Sequence, residues 1–401
     1  MIQDRYAKVI AVALSIGAAP LAAQVVNTWN GEGGDDNFSN AGNWNGAAPA
    51  TGADDEIMRL GAEGGTSPNY SVDLDQSKSI GGGARGQELG RFEFVSGADS
   101  YNLNNTAADP DLLYALFGIA EGGGAPAGEF TAISNTSGVN QTFNVGIRQE
   151  APGNQSGIEY NVYDAGTGGL TFTKNIEFAN NAKDMVLRGS GDIDFTNIDN
   201  TTGSSASFIV EVDNGSTVTV SESIIDVPSI EVNSGTLLMT GTGDVIADSN
   251  NTAKSTDLTL GGGTFELGGT DPQTAEFFGT LTLTEDSVID FGNAGGTITF
   301  DDSSGEIWDP NATLTIANWE GIAIDGGGKD QLFFGDDGTG LTAQQLSQIR
   351  FENEGTFNLH LPDGEVVPVP EPAAVASALG LTALICWRER RRLKRIWSTS
   401  Q

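Results

Sequence analysis

The chain reads SFIVEV at Ser207–Val212, STVTV at Ser216–Val220, SIEV at Ser229–Val232 and TLLMT at Thr236–Thr240. Apolar and polar residues alternate in these runs, so an extended strand would place its apolar side chains on one face. Gly, Asn, Asp and Ser separate the runs and favour turns. Similar runs continue to Ala317. Helical periodicity is limited to the two termini and to residues 112–119 and 342–350. This pattern predicts an all-β protein.

A Gly-Thr pair before a large apolar residue recurs at Gly235, Gly263, Gly279 and Gly296. The first separation is the longest, and the next two are shorter and nearly equal. Degenerate repeats of about 20 residues are typical of solenoids, in which coils stack because none can bury its core alone. A β-sandwich also needs many short strands with frequent turns. The likeness of the units favours a right-handed parallel β-solenoid, with a β-sandwich as the alternative.

The chain between its two termini is strongly acidic. Residues 24–371 contain 11 Lys/Arg against 52 Asp/Glu, a net charge of −41. Such a surface repels nucleic acid and anionic lipid, so neither is expected as a partner of this region. The single cysteine, Cys386, lies near the C-terminus, so the acidic body has neither a disulfide nor thiol chemistry.

Aromatic residues stand out in the segment Thr28–Pro49, where Trp29, Phe38 and Trp44 lie among turn-forming residues. This segment resembles the opening of large exported β-solenoid proteins with autotransporter-associated β-strand repeats. The resemblance implies a cap and first coil over residues 24–60, followed by a solenoid body over 61–311. A cap is needed because the open end of a stack of strands exposes unpaired backbone groups. Alternatively, the tryptophans form a platform on which sugars stack.

The C-terminal end has three parts in a fixed order. From Val367 it reads VPVPEPAAVASALGLTALICWRERRRLKRIWSTSQ. A Pro-Glu-Pro motif (Pro370, Glu371, Pro372) closes an extended linker over 363–372, and an apolar segment follows over 373–387. A basic tail over 388–401 comes last, with Arg388, Arg390, Arg391, Arg392, Lys394 and Arg395. The order predicts a transmembrane helix whose basic flank stays in the cytoplasm.

This tail resembles the PEP-CTERM sorting signal of Gram-negative bacteria, which exosortases recognise and remove during export. The resemblance implies an exosortase-like processing enzyme as a partner and a precursor anchored in the inner membrane. Pro370, Glu371 and Pro372 would be the sorting motif, and the six basic residues the stop-transfer cluster. An ordinary C-terminal membrane anchor is the alternative.

The N-terminus is typical of a secretory signal peptide over residues 1–23. Arg5 and Lys8 precede an apolar run over residues 9–18, and small residues end at Ala23, the expected cleavage site. A signal helix and Sec-type export machinery are therefore expected. The basic residues at both termini place the acidic body outside the cytoplasm.

A closing segment is expected over residues 312–362. It resembles the region that commonly precedes the sorting tail in these exported proteins. Thr342 can cap a short helix, and Gln345, three residues later, can complete a capping box. The only histidine, His360, lies in the alternating stretch Phe357–Leu361 and is expected to point outward.

No residue pattern indicates catalysis. Asp73 with Asp75 and Asp192 with Asp194 place two acids on one face of a strand, a spacing that pectate-lyase-like solenoids use for Ca²⁺ or sugar chemistry. Acids are so abundant here that chance accounts for such pairs, and basic partners are few. We therefore expect no enzymatic activity and no cofactor, with Ca²⁺ as a weak alternative.

These observations predict an exported, non-enzymatic surface or extracellular-matrix protein, structural and associated with biofilm. Its location would be the cell envelope, the cell surface or the extracellular space, and exopolysaccharide is a candidate partner. One alternative is a carbohydrate-binding or polysaccharide-active β-solenoid. Another is a calcium-dependent adhesin.

Overall fold

The computed structural model describes most of the chain between Val25 and Pro370. The described residues are 25–46, 48–49, 53–61, 71–75, 77–80, 83–86, 88–106, 113–116, 119–120, 129–149, 160–179, 182–201, 204–241, 245–247, 256–268, 274–293, 295–352, 354 and 357–370. The predicted signal peptide and the predicted membrane segment lie outside them. Within the described residues, no helix is long and apolar enough to cross a bilayer.

The described chain is almost entirely β, and most of its strands pair in parallel, which is consistent with a β-solenoid. Strands are numbered along the chain. The first column, column A, contains β1 (Val25–Trp29), β3 (Ala53–Leu60), β7 (Glu88–Phe94), β11 (Glu129–Asn135), β14 (Tyr160–Asp164), β17 (Asp184–Gly189), β19 (Phe208–Val212), β21 (Ser229–Ser234), β24 (Asp257–Leu260) and β27 (Leu281–Leu283).

Column B follows column A in each coil. It contains β4 (Ser71–Leu74), β8 (Asn102–Asn105), β12 (Gln141–Asn144), β15 (Leu170–Phe172), β18 (Ile193–Asp199), β20 (Thr217–Ile225), β22 (Thr236–Met239), β25 (Thr264–Leu267), β28 (Ser287–Asp290), β30 (Leu314–Ala317) and β32 (Ile349–Phe351).

Column C completes the coil. It contains β9 (Leu113–Leu116), β13 (Gly146–Gln149), β16 (Ile176–Phe178), the ends of β18 and β20, and β23 (Ile246–Ala247). A further parallel ladder contains β26 (Thr274–Phe277), β29 (Gly296–Phe300) and β31 (Gln331–Phe334).

The remaining elements are short and pair mainly as hairpins. They are β2 (Trp44–Asn45), β5 (Ser77–Ile80), β6 (Gly83–Gly86), β10 (Ile119–Ala120), β33 (Phe357–His360), β34 (Val366–Val369), a 3₁₀ turn (Ala41–Asn43) and the helix α1 (Ala343–Gln348).

The pairing register shows where one coil ends and the next begins. In column A, Phe208 of β19 pairs with Ile230 of β21. In column B, Thr236 of β22 pairs with Thr264 of β25. One coil therefore runs from Phe208 to Ile230 and a longer one from Thr236 to Thr264, so the coil length varies along the stack.

The Gly-Thr motif recurs more often than the coil does. Gly235 and Gly263 precede equivalent strands of column B in adjacent coils, so their separation is one full coil. Gly279, by contrast, lies shortly before β27 of column A, and Gly296 begins β29 of the further ladder. The two shorter separations are therefore steps between strands of different columns. Every column needs a turn before its strands, which explains the unequal spacing.

Successive coils place like side chains on top of one another inside the solenoid. Phe143, Phe172 and Phe195 stack along column B with ring centroids 4.9 Å apart at each step. This distance matches the spacing of neighbouring strands in a sheet, about 4.8 Å. All three phenyl rings are buried. The in-register pairing thus produces a continuous aromatic stack in the core.

Hydroxyl side chains at the corners between columns bind the preceding coil. Thr196 Oγ1 donates to the carbonyl of Phe172 at 3.2 Å, and Ser221 Oγ donates to that of Phe195 at 3.2 Å. In column A, Ser234 Oγ donates to the Val212 carbonyl at 2.7 Å. These bonds pair backbone oxygens at the corners, where one column passes into the next. They give a structural reason for many of the Ser and Thr residues in this chain.

The first strands are covered by residues 30–46. β2 pairs antiparallel with β1, and Phe38 N donates to the Asp73 carbonyl of β4 at 2.9 Å. Trp29, Phe38 and Trp44 are buried, with ring centroids about 5 Å apart and edge-to-face geometry. Trp44 Nε1 also donates to the Phe38 carbonyl at 2.8 Å. These buried indoles leave no face on which a sugar ring could stack.

Side chains from two segments cover the last strands. Trp308 Nε1 donates to the Leu281 carbonyl of β27 at 2.8 Å. In α1, Gln345 Nε2 donates to the Ser303 carbonyl and Gln348 Nε2 to the Ala312 carbonyl, both at 2.8 Å. The predicted capping box at Thr342 and Gln345 is confirmed.

Two expectations of local structure were wrong. Residues 112–119 show helical spacing, but the structure places Leu113–Leu116 in β9 and Ile119–Ala120 in β10, since parallel partners in neighbouring coils override a short local pattern. His360 does not point outward. Its Nε2 lies 3.1 Å from the Phe334 carbonyl oxygen, whereas Phe357 and Leu359 are exposed.

We expect Phe172→Ala to lower the free energy of unfolding by about 3–5 kcal/mol, because it opens a cavity between two stacked rings. Thr219→Ala, on the outer face of column B, is the matched control and should cost less than about 0.5 kcal/mol. Urea denaturation of both variants measures the difference. Equal losses in the two variants would contradict the aromatic stack.

Candidate functional site

Most residues of the predicted sorting site lie outside the described part of the chain. Pro370 is described and follows β34 directly. Glu371, Pro372, Ala23 and the six basic residues Arg388, Arg390, Arg391, Arg392, Lys394 and Arg395 lie beyond the described ranges. The structure therefore shows the point at which the chain leaves the body, directly after β34.

The exit point is a hairpin fixed to the last coil. β33 and β34 pair antiparallel, with Phe357 opposite Val369 and His360 opposite Val366. Phe334 N donates to the Gly364 carbonyl at 2.9 Å, which joins the hairpin to the end of β31. Asn358 Nδ2 donates to the Ile349 carbonyl of β32 at 2.6 Å. The Pro-Glu-Pro motif therefore begins where a well-anchored hairpin ends.

A second candidate site is an open polar groove of about 350 Å³ where column A turns into column B. It is lined by Asn140, Thr167, Gly168, Gly169, Thr171, Ser190, Gly191, Asp192 and Asp194. Asp192 and Asp194 lie on one exposed face, as their spacing predicts. Asp192 Oδ1 accepts the backbone N–H of Thr217 at 2.9 Å, so this carboxylate also holds the next coil.

The pair Asp73 and Asp75 has a structural role in the cap. Asp73 Oδ1 accepts from Asn104 Nδ2 at 3.2 Å, and Asp75 Oδ1 accepts the backbone N–H of Ser39 at 3.0 Å. Across the described ranges, no group of three or more His, Cys, Asp or Glu side chains is placed to hold a metal ion. The two acids of each predicted pair therefore lie together, but the described residues place no larger set of metal ligands around either pair.

Arginines of the body form ion pairs with acids of other coils. Arg59 Nε binds Glu93 at 2.6 Å and Arg148 binds Glu177 at 2.5 Å. Arg188 bridges Glu129 and Glu211, with N–O distances of 2.8 Å to each. Because the acids far outnumber these basic residues, stacking also places acids near acids.

At two positions in the stack, burial together with neighbouring acids raises the pKa of a carboxyl. Burial raises the pKa of Glu231, and the charges of Asp184 and Glu211 raise it further, against a hydrogen bond from Asn233. Burial also raises the pKa of Glu266, with Asp290 of the next coil adding to the effect. Like charges on adjacent strands destabilise a sheet. The acidic surface therefore carries a stability cost that grows as these groups ionise.

Sequence reasoning missed an apolar group at the exit hairpin. Phe357 and Leu359 are exposed, as are Ile322 and Ile324 in the loop beside them. Alternation was visible in the stretch Phe357–Leu361, but it does not say which of its two faces meets the body. The hydrogen bonds of Asn358 and His360 decide this, and no sequence pattern predicts them.

No protein-family model matches this chain. No curated protein and no solved structure matches it either.

We expect Glu231→Gln to stabilise the protein at pH 7 by several tenths of a kcal/mol, because it removes a partly buried charge that also lies near Asp184 and Glu211. The folded-state pKa of Glu231 lies above its ordinary value of 4.5. The native state therefore binds this proton more tightly, and wild-type stability falls as pH rises from 4.5 through the raised pKa. The gain in Glu231→Gln should accordingly shrink on acidification.

Thermal unfolding between pH 4 and pH 8 measures this effect. Glu285→Gln removes the same charge from an exposed position and serves as the control. A stability difference between Glu231→Gln and wild type that stays constant across this pH range would contradict the account.

Proposed function

We propose that this chain is an exported, non-enzymatic surface or matrix protein that is sorted through its C-terminal tail. Its body would be a right-handed parallel β-solenoid spanning residues 61–311, with a cap before it and a closing segment over 312–362. An exosortase-like enzyme would process the tail near Pro370, Glu371 and Pro372. The protein would act structurally, as an acidic rod within exopolysaccharide-rich extracellular material.

The observation that carries this proposal is the order of features around Pro370. A folded hairpin ends at Val369, the Pro-Glu-Pro motif follows at once, and the apolar and basic segments come next. Proline at 370 and 372 disfavours continuation of regular structure, so the motif is expected to be extended and open to an enzyme. A processing site needs this accessibility, and the hairpin keeps it separate from the solenoid core.

The side-chain contacts between coils of the body support a structural role. The stacked hydroxyls, amides and ion pairs bind neighbouring coils, and the two ends are covered. A closed, highly charged rod resists unspecific association through charge repulsion. These properties suit a hydrated component of an extracellular matrix.

Polysaccharide binding is the second candidate function, and the groove at Asn140, Thr171 and Asp194 favours it. The groove is open and polar, and it offers amide, hydroxyl and carboxylate groups that can bind sugar hydroxyls. None of the residues that line it is aromatic. A binding mode through hydrogen bonds is therefore expected there, and Trp29 and Trp44 would not contribute.

The intact mass of the protein from its native host, measured separately for the cell envelope and the medium, tests sorting. We expect a product that lacks about 23 N-terminal residues and everything beyond the Pro-Glu-Pro region. Replacing Pro370, Glu371 and Pro372 together with Ala should leave the tail in place and keep the protein in the membrane fraction. Glu352→Ala, an exposed acid of the closing segment, is the control and should be processed normally.

If wild type retains residues 373–401 in the membrane fraction, the sorting proposal is wrong. The protein would then be a surface domain on a permanent anchor. Normal processing of the triple Ala variant would show that the enzyme recognises some other part of the chain.

A further inference from the structure

Nine large apolar side chains are exposed among the described residues, and four of them lie at the C-terminal end of the body. Ile322, Ile324, Phe357 and Leu359 are 51%, 48%, 63% and 41% exposed. We call these four residues the end patch. Exposed apolar groups that cluster mark interaction surfaces, whereas single ones need no explanation.

Backbone pairing brings the end patch together. Phe357 lies opposite Val369, and Leu359 lies opposite the buried Val367. The backbone N–H of Ile324 donates to the Pro368 carbonyl at 3.3 Å, which places the loop beside β34. Side chains alternate across a strand, so Phe357 and Leu359 point away from the body while Asn358 binds it. The exposed side chains of Phe357 and Leu359 therefore lie on the hairpin beside the loop that carries Ile322 and Ile324.

A buried carboxylate holds the loop of the end patch in position. Glu365 is 2% exposed and accepts the backbone N–H of Gly327 with both oxygens, at 2.8 and 3.0 Å. Ile324 adopts φ 73°, a left-handed conformation that is costly for a β-branched residue. A strained, exposed isoleucine on an anchored loop indicates a surface whose shape serves a contact outside the body.

We propose that, before the tail is removed, the end patch of the precursor rests on the surface of a zwitterionic lipid bilayer in which the tail anchors the chain. This inference depends on the proposed membrane role of residues 373–387. Ala373 lies three positions beyond Pro370, so the chain between them spans at most about 11 Å. The patch therefore lies close to the place where the chain would enter the membrane.

The size and charge of the surface favour a bilayer over a protein. A stable protein interface buries about 800 Å² on each partner, far more than four half-exposed side chains supply. Partial insertion of a few apolar groups is enough at a lipid surface when a second element provides the anchor. The strong negative charge of the body opposes anionic lipid, so the headgroups should be zwitterionic. The patch would orient the solenoid with its closed C-terminal end against the membrane.

A fluorescent probe on the full-length protein tests the contact. In a Cys386→Ser background, Phe357→Cys is labelled with an environment-sensitive dye. The protein is then reconstituted in phosphatidylcholine vesicles with and without brominated acyl chains. We expect brominated lipid to lower the emission about twofold, since the label would lie at the boundary between headgroups and acyl chains. Val139→Cys, another exposed apolar position far from the exit hairpin, is the control and should show no quenching.

A second variant confirms that the neighbouring side chains create the contact. Replacing Ile322, Ile324 and Leu359 with Ser changes only exposed positions, and it should abolish quenching at the labelled position 357. Vesicles rich in phosphatidylglycerol should also reduce quenching, because their charge repels the body. Equal or stronger quenching in these vesicles would contradict the zwitterionic assignment.

Vesicle flotation separates this inference from the proposed function. If the protein floats with vesicles but the label at position 357 is not quenched, the end patch does not touch lipid and the anchoring proposal stands. If the full-length protein does not float, both the membrane segment and the lipid contact are wrong.

Discussion

In-register parallel pairing between successive coils is the constraint on which this structure depends. A single coil cannot bury its apolar face, so each coil must present like side chains to the next. The phenyl stack of column B and the hydroxyl bonds at the corners between columns both follow from this register. The same register also brings Glu231 close to Glu211 and Glu266 close to Asp290. At these positions in the stack, the repulsion between carboxylates therefore opposes the stability that the register provides.

A stack of strands needs two ends, and side chains cover both ends of this one. At the first end, the Trp29 and Trp44 indoles pack together and β2 covers the edge of β1. At the last end, Gln345 and Gln348 satisfy carbonyl groups that no further coil would bind. The hairpin that completes this closure also carries the end patch and ends directly before the Pro-Glu-Pro motif.

Much of the fold could be predicted from the sequence because alternation and turn residues act locally. The strands around Phe208 and Thr236, and the capping box at Thr342, were predicted in this way. The coil length could not be predicted, because turns before strands of different columns share the Gly-Thr signature. The orientation of the His360 side chain depends on its contact with the carbonyl of Phe334, which lies far from it along the chain. The groove at Asp194 could not be predicted either, because residues from successive coils line it together.

Cross-linking between coils tests the central claim of stacked parallel strands most directly. Asp194 and Thr219 are register partners in adjacent coils, and parallel neighbours have a Cα separation suited to a disulfide. In a Cys386→Ser background, cysteines at 194 and 219 should cross-link rapidly under mild oxidation. Cysteines at 194 and 238, two coils apart, should not. Failure of the first pair, or equal cross-linking of both, would contradict the register and with it the solenoid.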